Sequence, residues 1–308
     1  MFRLAVILAV GLRVAQCALP SGTNVLWDGR VPFSMTEADI DASTGPYLTV
    51  VKGQNESASY YTTLLGHKIP PTPLHNLPLL PSEQALSVSI DNTSVFLPGG
   101  STPQYGFRRT DLIAQINGSN SGADPILEPA GGTTTFHFSI QADVAHPLNY
   151  THEYQIVFIE PSDGTHIFEV QLGSPFTDPT GPLPAPNAHW FKVRDHALNV
   201  LFQTPFLPLT WHNFAVTVGW AGSTPGSNNT LAVAYSVDGL PLQTVAPTTP
   251  NPTVTAAEAL GDFHIAVIKL PLVNPADTPS EQSDVVHYGI QEGTHEALLY
   301  SGVFVTKD

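Results

Sequence analysis

The sequence predicts an all-β fold, a β-sandwich or jelly roll, and three observations carry the prediction. Helical periodicity is almost absent. Short segments that alternate apolar and polar residues with period two recur along the chain. Between them lie clusters of turn-forming residues, drawn from 29 prolines and 24 glycines among 308 residues. Many short strands joined by turn-rich spacers are the pattern of such folds.

The elements follow in order. Residues 1–18 (MFRLAVILAVGLRVAQCA) read as a secretory signal peptide: Arg3, a short apolar run, then small residues at Ala15, Cys17 and Ala18. The run is too short for a membrane span, which needs about 20 apolar residues. Short helical pieces are expected at 36–40, where Thr36 is placed to cap, and at 255–260. Strands are expected at 133–140 (TTTFHFSI), 152–159 (HEYQIVFI), 166–172 (HIFEVQL), 211–218 (WHNFAVTV), 231–237 (LAVAYSV), 263–270 (FHIAVIKL) and 297–304 (ALLYSGVF). The Pro-rich stretches 173–188 and 240–254 read as long loops, because strand pattern resumes on either side. Residues 19–308 are therefore expected to form one domain.

Composition narrows the function. The only cysteine, Cys17, lies in the expected leader, which leaves the mature chain without a disulfide or a thiol nucleophile. A chain of this size does not need such staples, since it buries about three-quarters of its unfolded surface. The net charge is −15, which repels nucleic acid and anionic membranes; neither is expected as a partner. Charged residues make up only 12% of the chain, a balance suited to a neutral polymer outside the cell. Five N-x-S/T sequons, at Asn55, Asn92, Asn117, Asn149 and Asn228, are candidate glycosylation sites on the surface.

Several residues are candidates for chemistry. In the segment 106–112 (GFRRTDL), strand alternation sets Phe107, Arg109 and Asp111 on one face. The arginine either orients the carboxylate in a cleft or forms a structural ion pair with it. In 152–159, Tyr154, Ile156 and Phe158 are expected to face the core together with His152, while Glu153, Gln155 and Val157 form the other face. Glu153 and Gln155 there suit a hydroxyl-rich polymer, and Glu153 can serve as acid, base or nucleophile. His137, between Phe136 and Phe138, lines the same groove or sits at a plain surface. His212 is a site residue or a half-buried histidine with a satisfied hydrogen bond. Trp190 and Trp211 offer flat faces to sugars or belong to the core. Glycoside hydrolysis needs two carboxyl groups, and the pool is Asp111, Glu153, Glu160, Glu169 and Glu292. Glu160, ahead of a proline at a strand end, is a weaker choice, and Glu169 reads as a solvated residue. There is no G-x-S-x-G elbow, H-E-x-x-H pair or phosphate loop. No metal and no cofactor are expected.

Five segments together, LWDGRVP (26–32), GFRRTDL (106–112), PLNYTHEYQIVF (147–158), FQTPFLPLTWHNFAV (202–216) and GIQEGTHEALLYSGVF (289–304), resemble glycoside hydrolase family 131. The resemblance covers nearly the whole expected mature chain. It implies a β-jelly roll, a concanavalin-like sandwich of two antiparallel sheets, in a fungal secreted β-glucanase. It further implies action on β-1,3-, β-1,6- or β-1,4-linked glucan, with inversion. Residue by residue it makes Glu153 one catalytic carboxylate and places the second at Asp111, where the family pattern carries Glu. The shorter side chain retracts the carboxylate, and a misplacement of about 1 Å can cost roughly 100-fold in rate. Arg109, Gln155, His137 and His212 are the expected substrate-binding residues. The partner is β-glucan, and the protein is expected to be a monomer.

Two rival functions use the same residues. One is a jelly-roll lectin or inactive family member that binds glucan without cutting it, which Asp111 favours. The other is a polysaccharide lyase, which the low content of Lys and Arg disfavours.

Overall fold

The computed structural model describes residues 24–77, 79–99, 101–116, 132–176, 183–221, 229–251 and 261–307. The expected signal peptide, the sequons at Asn117 and Asn228 and the helical piece at 255–260 lie outside the described residues.

Two antiparallel sheets build the molecule. The eight-stranded sheet runs β13 (Gln243–Asn251), β12 (Asn229–Val237), β11 (His212–Gly219), β6 (Thr133–Ala142), β15 (Glu296–Lys307), β4 (Leu86–Ile90) and β3 (Thr62–Leu64), with β1 (Asn24–Asp28) also paired to β15. The seven-stranded sheet runs β10 (Val200–Pro205), β9 (Trp190–Asp195), β8 (Phe168–Gly173), β7 (Glu153–Pro161), β14 (Gly261–Lys269), β5 (Arg108–Ala114) and β2 (Tyr47–Leu48). The sandwich of two antiparallel sheets is the fold class expected from the sequence. Helix is confined to short pieces among the described residues, including α1 (Glu37–Asp41), where Thr36 and Asp39 form a capping box.

The sheets face each other across one apolar core. Phe136, Phe138, Phe214 and Tyr300 come from one side, and Tyr154, Ile156, Phe168, Phe191 and Phe263 from the other. All are 0–1% exposed, and each large apolar side chain so buried contributes about 1.5–3 kcal/mol.

Strict alternation fails at one place that matters for the site. Gln155 pairs with Gln171 of β8, yet Val157 pairs with the next residue, Val170. β7 therefore carries one extra residue, and Ile156 and Val157 both enter the core. β14 has a matching irregularity between Ile265 and Ile268. Beyond the bulge the faces exchange. Phe158, expected in the core with Tyr154 and Ile156, instead packs with Ala266, Ile268 and Leu270 on the outer face; Val157, expected outside, is in the core. A bulge leaves backbone groups without ladder partners. Here the Tyr300 hydroxyl, reaching across from β15, meets the carbonyls of Ala266 at 2.6 Å and Ile156 at 3.3 Å.

Candidate active site

The outer face of the seven-stranded sheet holds two clusters of charged side chains. The first centres on Asp111 of β5. Arg109, two residues earlier on the same face, donates Nε–H to Oδ1 at 3.1 Å and Nη2–H to Oδ2. Pairing of β5 with β14 sets Asp111 opposite Ala266, and His264 donates Nδ1–H to Asp111 Oδ2 at 3.0 Å. Burial pushes the Asp111 carboxyl up, but Arg109 and His264 outweigh it and hold the group below its usual range. The ring of His264 has its other nitrogen, Nε2, 3.9 Å from Glu160, which also lies 3.8 Å from Arg109. Arg109, Glu160 and His264 line an open cleft of about 600 Å³, walled by Val50, Phe96 and Gln104.

The second cluster centres on Arg194 of β9. Its guanidinium donates to Glu153 Oε1 at 2.6 Å and also to Glu169. Glu153 accepts a further bond from the Phe176 backbone N–H. Glu169, expected to be solvated, is 1% exposed and paired to His166 at 2.6 Å. Burial raises it, and His166 and Arg194 together bring it below the ordinary carboxylate range. Beside them Lys192, bonded to the carbonyls of Gly173 and Asn187, is lowered to about 8, first by burial and then by Arg194. Phe158 separates the two clusters, lying between His166 at 4.3 Å and His264 at 4.6 Å, ring centre to ring centre.

Glu153 and Asp111 thus share a face but not a cluster. Glu153 accepts on its carbonyl from Leu270 N–H, whereas Asp111 sits opposite Ala266. Four residues along β14 and two strand spacings across place their Cα atoms about 16 Å apart. Gln155 stands between them, its amide 3.5 Å from Glu153, in a row that continues through Ile268 to Arg109.

Other expected site residues lie elsewhere. His137 is on the outer face of the eight-stranded sheet, stacked on Phe304 at 4.3 Å and bonded to Thr306; the alternation that made it polar-facing was right about the face and silent about the sheet. His212 is fully buried against Phe191 and Phe206. It accepts from Leu207 N–H on Nε2 and bonds the Tyr235 hydroxyl through Nδ1. Neither reaches the groove where Glu153 and Asp111 lie. Trp211 is a core residue, donating Nε1–H to Pro70. Glu292 belongs to a network between the sheets, with Lys269 at 2.8 Å and Asn149. Of the described sequons, Asn55 and Asn92 are exposed, and Asn149 is half-buried.

His264, Arg194 and Lys192 were not singled out from the sequence. Their signal was present: each is a polar residue opposite apolar neighbours in an alternating strand, as in FHIAV (263–267) and FKVRD (191–195).

A sandwich with carboxylates, arginines and a carboxylate-bound histidine on one open face has the build of a glycoside hydrolase. The glycoside hydrolase 131 catalytic N-terminal domain matches residues 25–308, and the chain belongs to that family. Among solved structures it is similar to a GH131 β-glucanase catalytic domain from Podospora anserina, with TM-score 0.64 and 20% identity over 92% of this chain and 96% of that one. It is similar also to the catalytic domain of a glycoside hydrolase family 131 protein from Coprinopsis cinerea, with TM-score 0.62 and 23% identity over 92% and 95%. No curated protein matches the sequence. Among the described residues no helix is long and apolar enough to cross a membrane.

Proposed function

We propose that this glycoside hydrolase cleaves β-glucan, with β-1,3, β-1,6 or β-1,4 linkages, by inversion on the outer face of the seven-stranded sheet. The observation that carries the reading is the Asp111–His264 pair beside Glu160 in the cleft. Asp111 is 1% exposed, so it acts through His264, fixing the imidazole with Nε2 as the atom that takes a proton from water. Glu160 is too near His264 to stand on the far side of a scissile bond, since inverting pairs are about 6.5–9.5 Å apart; it holds the water. Glu153, across Phe158, is the second carboxyl group of this reading, and a bound glucan must displace its Arg194 and Phe176 donors before it can carry a proton to the leaving oxygen. Direct attack needs carboxyls about 5–5.5 Å apart and inversion about 6.5–9.5 Å; Glu153 and Asp111, about 16 Å apart at Cα, are wider than either, and what supports inversion is the family resemblance. The protein is secreted as a monomer, with glycans at the exposed Asn55 and Asn92.

The test is product analysis on laminarin, a β-1,6-glucan and cello-oligosaccharides, with the anomer of the first product recorded. Wild type should release sugar of inverted configuration, and Glu153→Gln and His264→Asn should not. Equal release from Glu153→Gln would remove Glu153 from the reaction. A second reading, binding without cleavage, is favoured by the arginine clamp on both Glu153 and Asp111; retention on glucan with no product would establish it.

A further inference from the structure

We propose that Phe96 is the ring on which one glucose unit of the β-glucan chain stacks when the chain lies in the cleft beside His264; this rests on the β-glucan reading above. Phe96 lines that cleft together with Arg109, Glu160 and His264, and it is the only phenylalanine, tyrosine or tryptophan among the described residues that line it.

Backbone ties fix where the ring stands. Ser94 accepts Arg109 N–H on its carbonyl at 2.9 Å, so the segment after β4 runs along the edge of β5 that β14 leaves open. Ser94 is itself fixed: it is fully buried, and its hydroxyl accepts Asp91 N–H at 2.9 Å. Phe96 then accepts Gln104 N–H on its carbonyl at 2.9 Å, which ties the segment to a second residue of the cleft.

The ring is not part of the core. It is half-buried, and no core cluster among the described residues includes it. Its neighbour is Arg109, whose guanidinium carbon lies 5.9 Å from the ring centre. That distance is at the edge of the range for cation–π attraction, so holding Arg109 does not account for an aromatic residue here. Around the ring the cleft has two characters. Leu48, Val50 and Ile113 continue an apolar wall, whereas Glu160, Asp262 and His264 supply polar groups. Its volume of about 600 Å³ is that of a ligand site, mainly apolar with a few placed polar groups. A β-linked glucose unit matches such a cleft, with flat C–H faces and hydroxyls around its edge. A ring already fixed in place binds one of those faces at little entropic cost.

Phe96 stands apart from the reacting atoms. Arg109 beside it holds Asp111, and Asp111 holds His264, so a unit stacked on Phe96 sets which glycosidic bond reaches the imidazole. Phe96 is therefore a binding residue that acts on KM and on the lengths of the products.

The test uses Phe96→Ala, Phe96→Leu and Phe96→Tyr, each checked for folding by its thermal midpoint. Affinity electrophoresis through soluble β-glucan reads binding, kinetics on a β-glucan oligosaccharide read kcat and KM, and chromatography reads product lengths. The Ala and Leu variants should both bind about 10-fold more weakly, raise KM to match and shift the product lengths, with kcat little changed. Phe96→Tyr, which keeps the flat ring, should behave as wild type. Leucine can replace a ring that only fills space. Wild-type retardation and KM in Phe96→Leu, beside a wild type that cleaves glucan, would therefore overturn the platform alone, as would a loss of kcat with KM unchanged. A wild type that neither binds nor cleaves any glucan would overturn the β-glucan reading and the platform with it.

Discussion

His264 donates its Nδ1–H to Oδ2 of Asp111 across 3.0 Å, although 153 positions separate the two in the chain. The bond fixes the tautomer, so the basic nitrogen of the ring is the one on the Glu160 side. His264→Asn removes that nitrogen and should lower kcat by about 10²–10⁴-fold. Full turnover by this variant would exclude His264 from proton transfer. Asp111→Asn should lose activity and also fold stability, by about 3–5 kcal/mol, because it leaves the Arg109 guanidinium buried without its counter-charge. The thermal midpoints of the two variants would separate the roles.

Arg194 is shared by Glu153 and Glu169, all three 4% exposed or less. Arg194→Met strands two buried carboxylates and should cost about 3–5 kcal/mol in urea unfolding. Adding Glu169→Gln should recover part of the loss. If the double variant is no more stable than the single, Glu169 is not the residue that suffers.

Tyr300→Phe keeps the ring and deletes the hydroxyl that serves the two bulge carbonyls. A loss of about 1–3 kcal/mol is expected. Activity should fall too, because the bulge sets which way Phe158 and Glu160 face. An unchanged urea midpoint would mean that those carbonyls find other donors.

Acid should destabilise the fold through three histidines, His212 fully buried and His75 and His137 half-buried. Burial lowers His75 and His212 from 6.5 to about 4, and His137 to about 3; Arg30 adds to the effect at His75 and His75 to that at His137. Between those values and 6.5 the unfolded chain binds more protons than the folded one. Stability from these groups is therefore complete above about pH 6.5 and is lost as pH falls toward 4 and 3. Each histidine contributes at most a few kcal/mol, at about 1.4 kcal/mol per unit. Thermal midpoints between pH 7 and 4 would show it, and His137→Phe should flatten the slope.

Much of the fold was legible because alternation marks a half-buried strand wherever it occurs. The polar side of 152–159 led correctly to one face for Glu153 and Gln155. Phe158 was misplaced because a bulge adds a residue without any composition signal, and every later side chain then changes face. His137 and His212 were each left with two readings, and the structure sets both apart from Glu153 and Asp111; alternation tells in from out but does not say which sheet a strand joins. Asp111 and His264 meet only because β5 and β14, far apart in sequence, are neighbours, and no local pattern encodes that pairing.

The central place of β15 has a consequence for how the molecule is made. It lies beside β6 along its length and beside β4 and then β1 on its other edge, so early strands wait for residues 296–307 before their sheet can close. Pairings of such long sequence separation slow folding and prolong the exposure of open strand edges. Before β15 has emerged the seven-stranded sheet has all its strands, while the eight-stranded sheet is still in two pieces, β13-β12-β11-β6 and β4-β3.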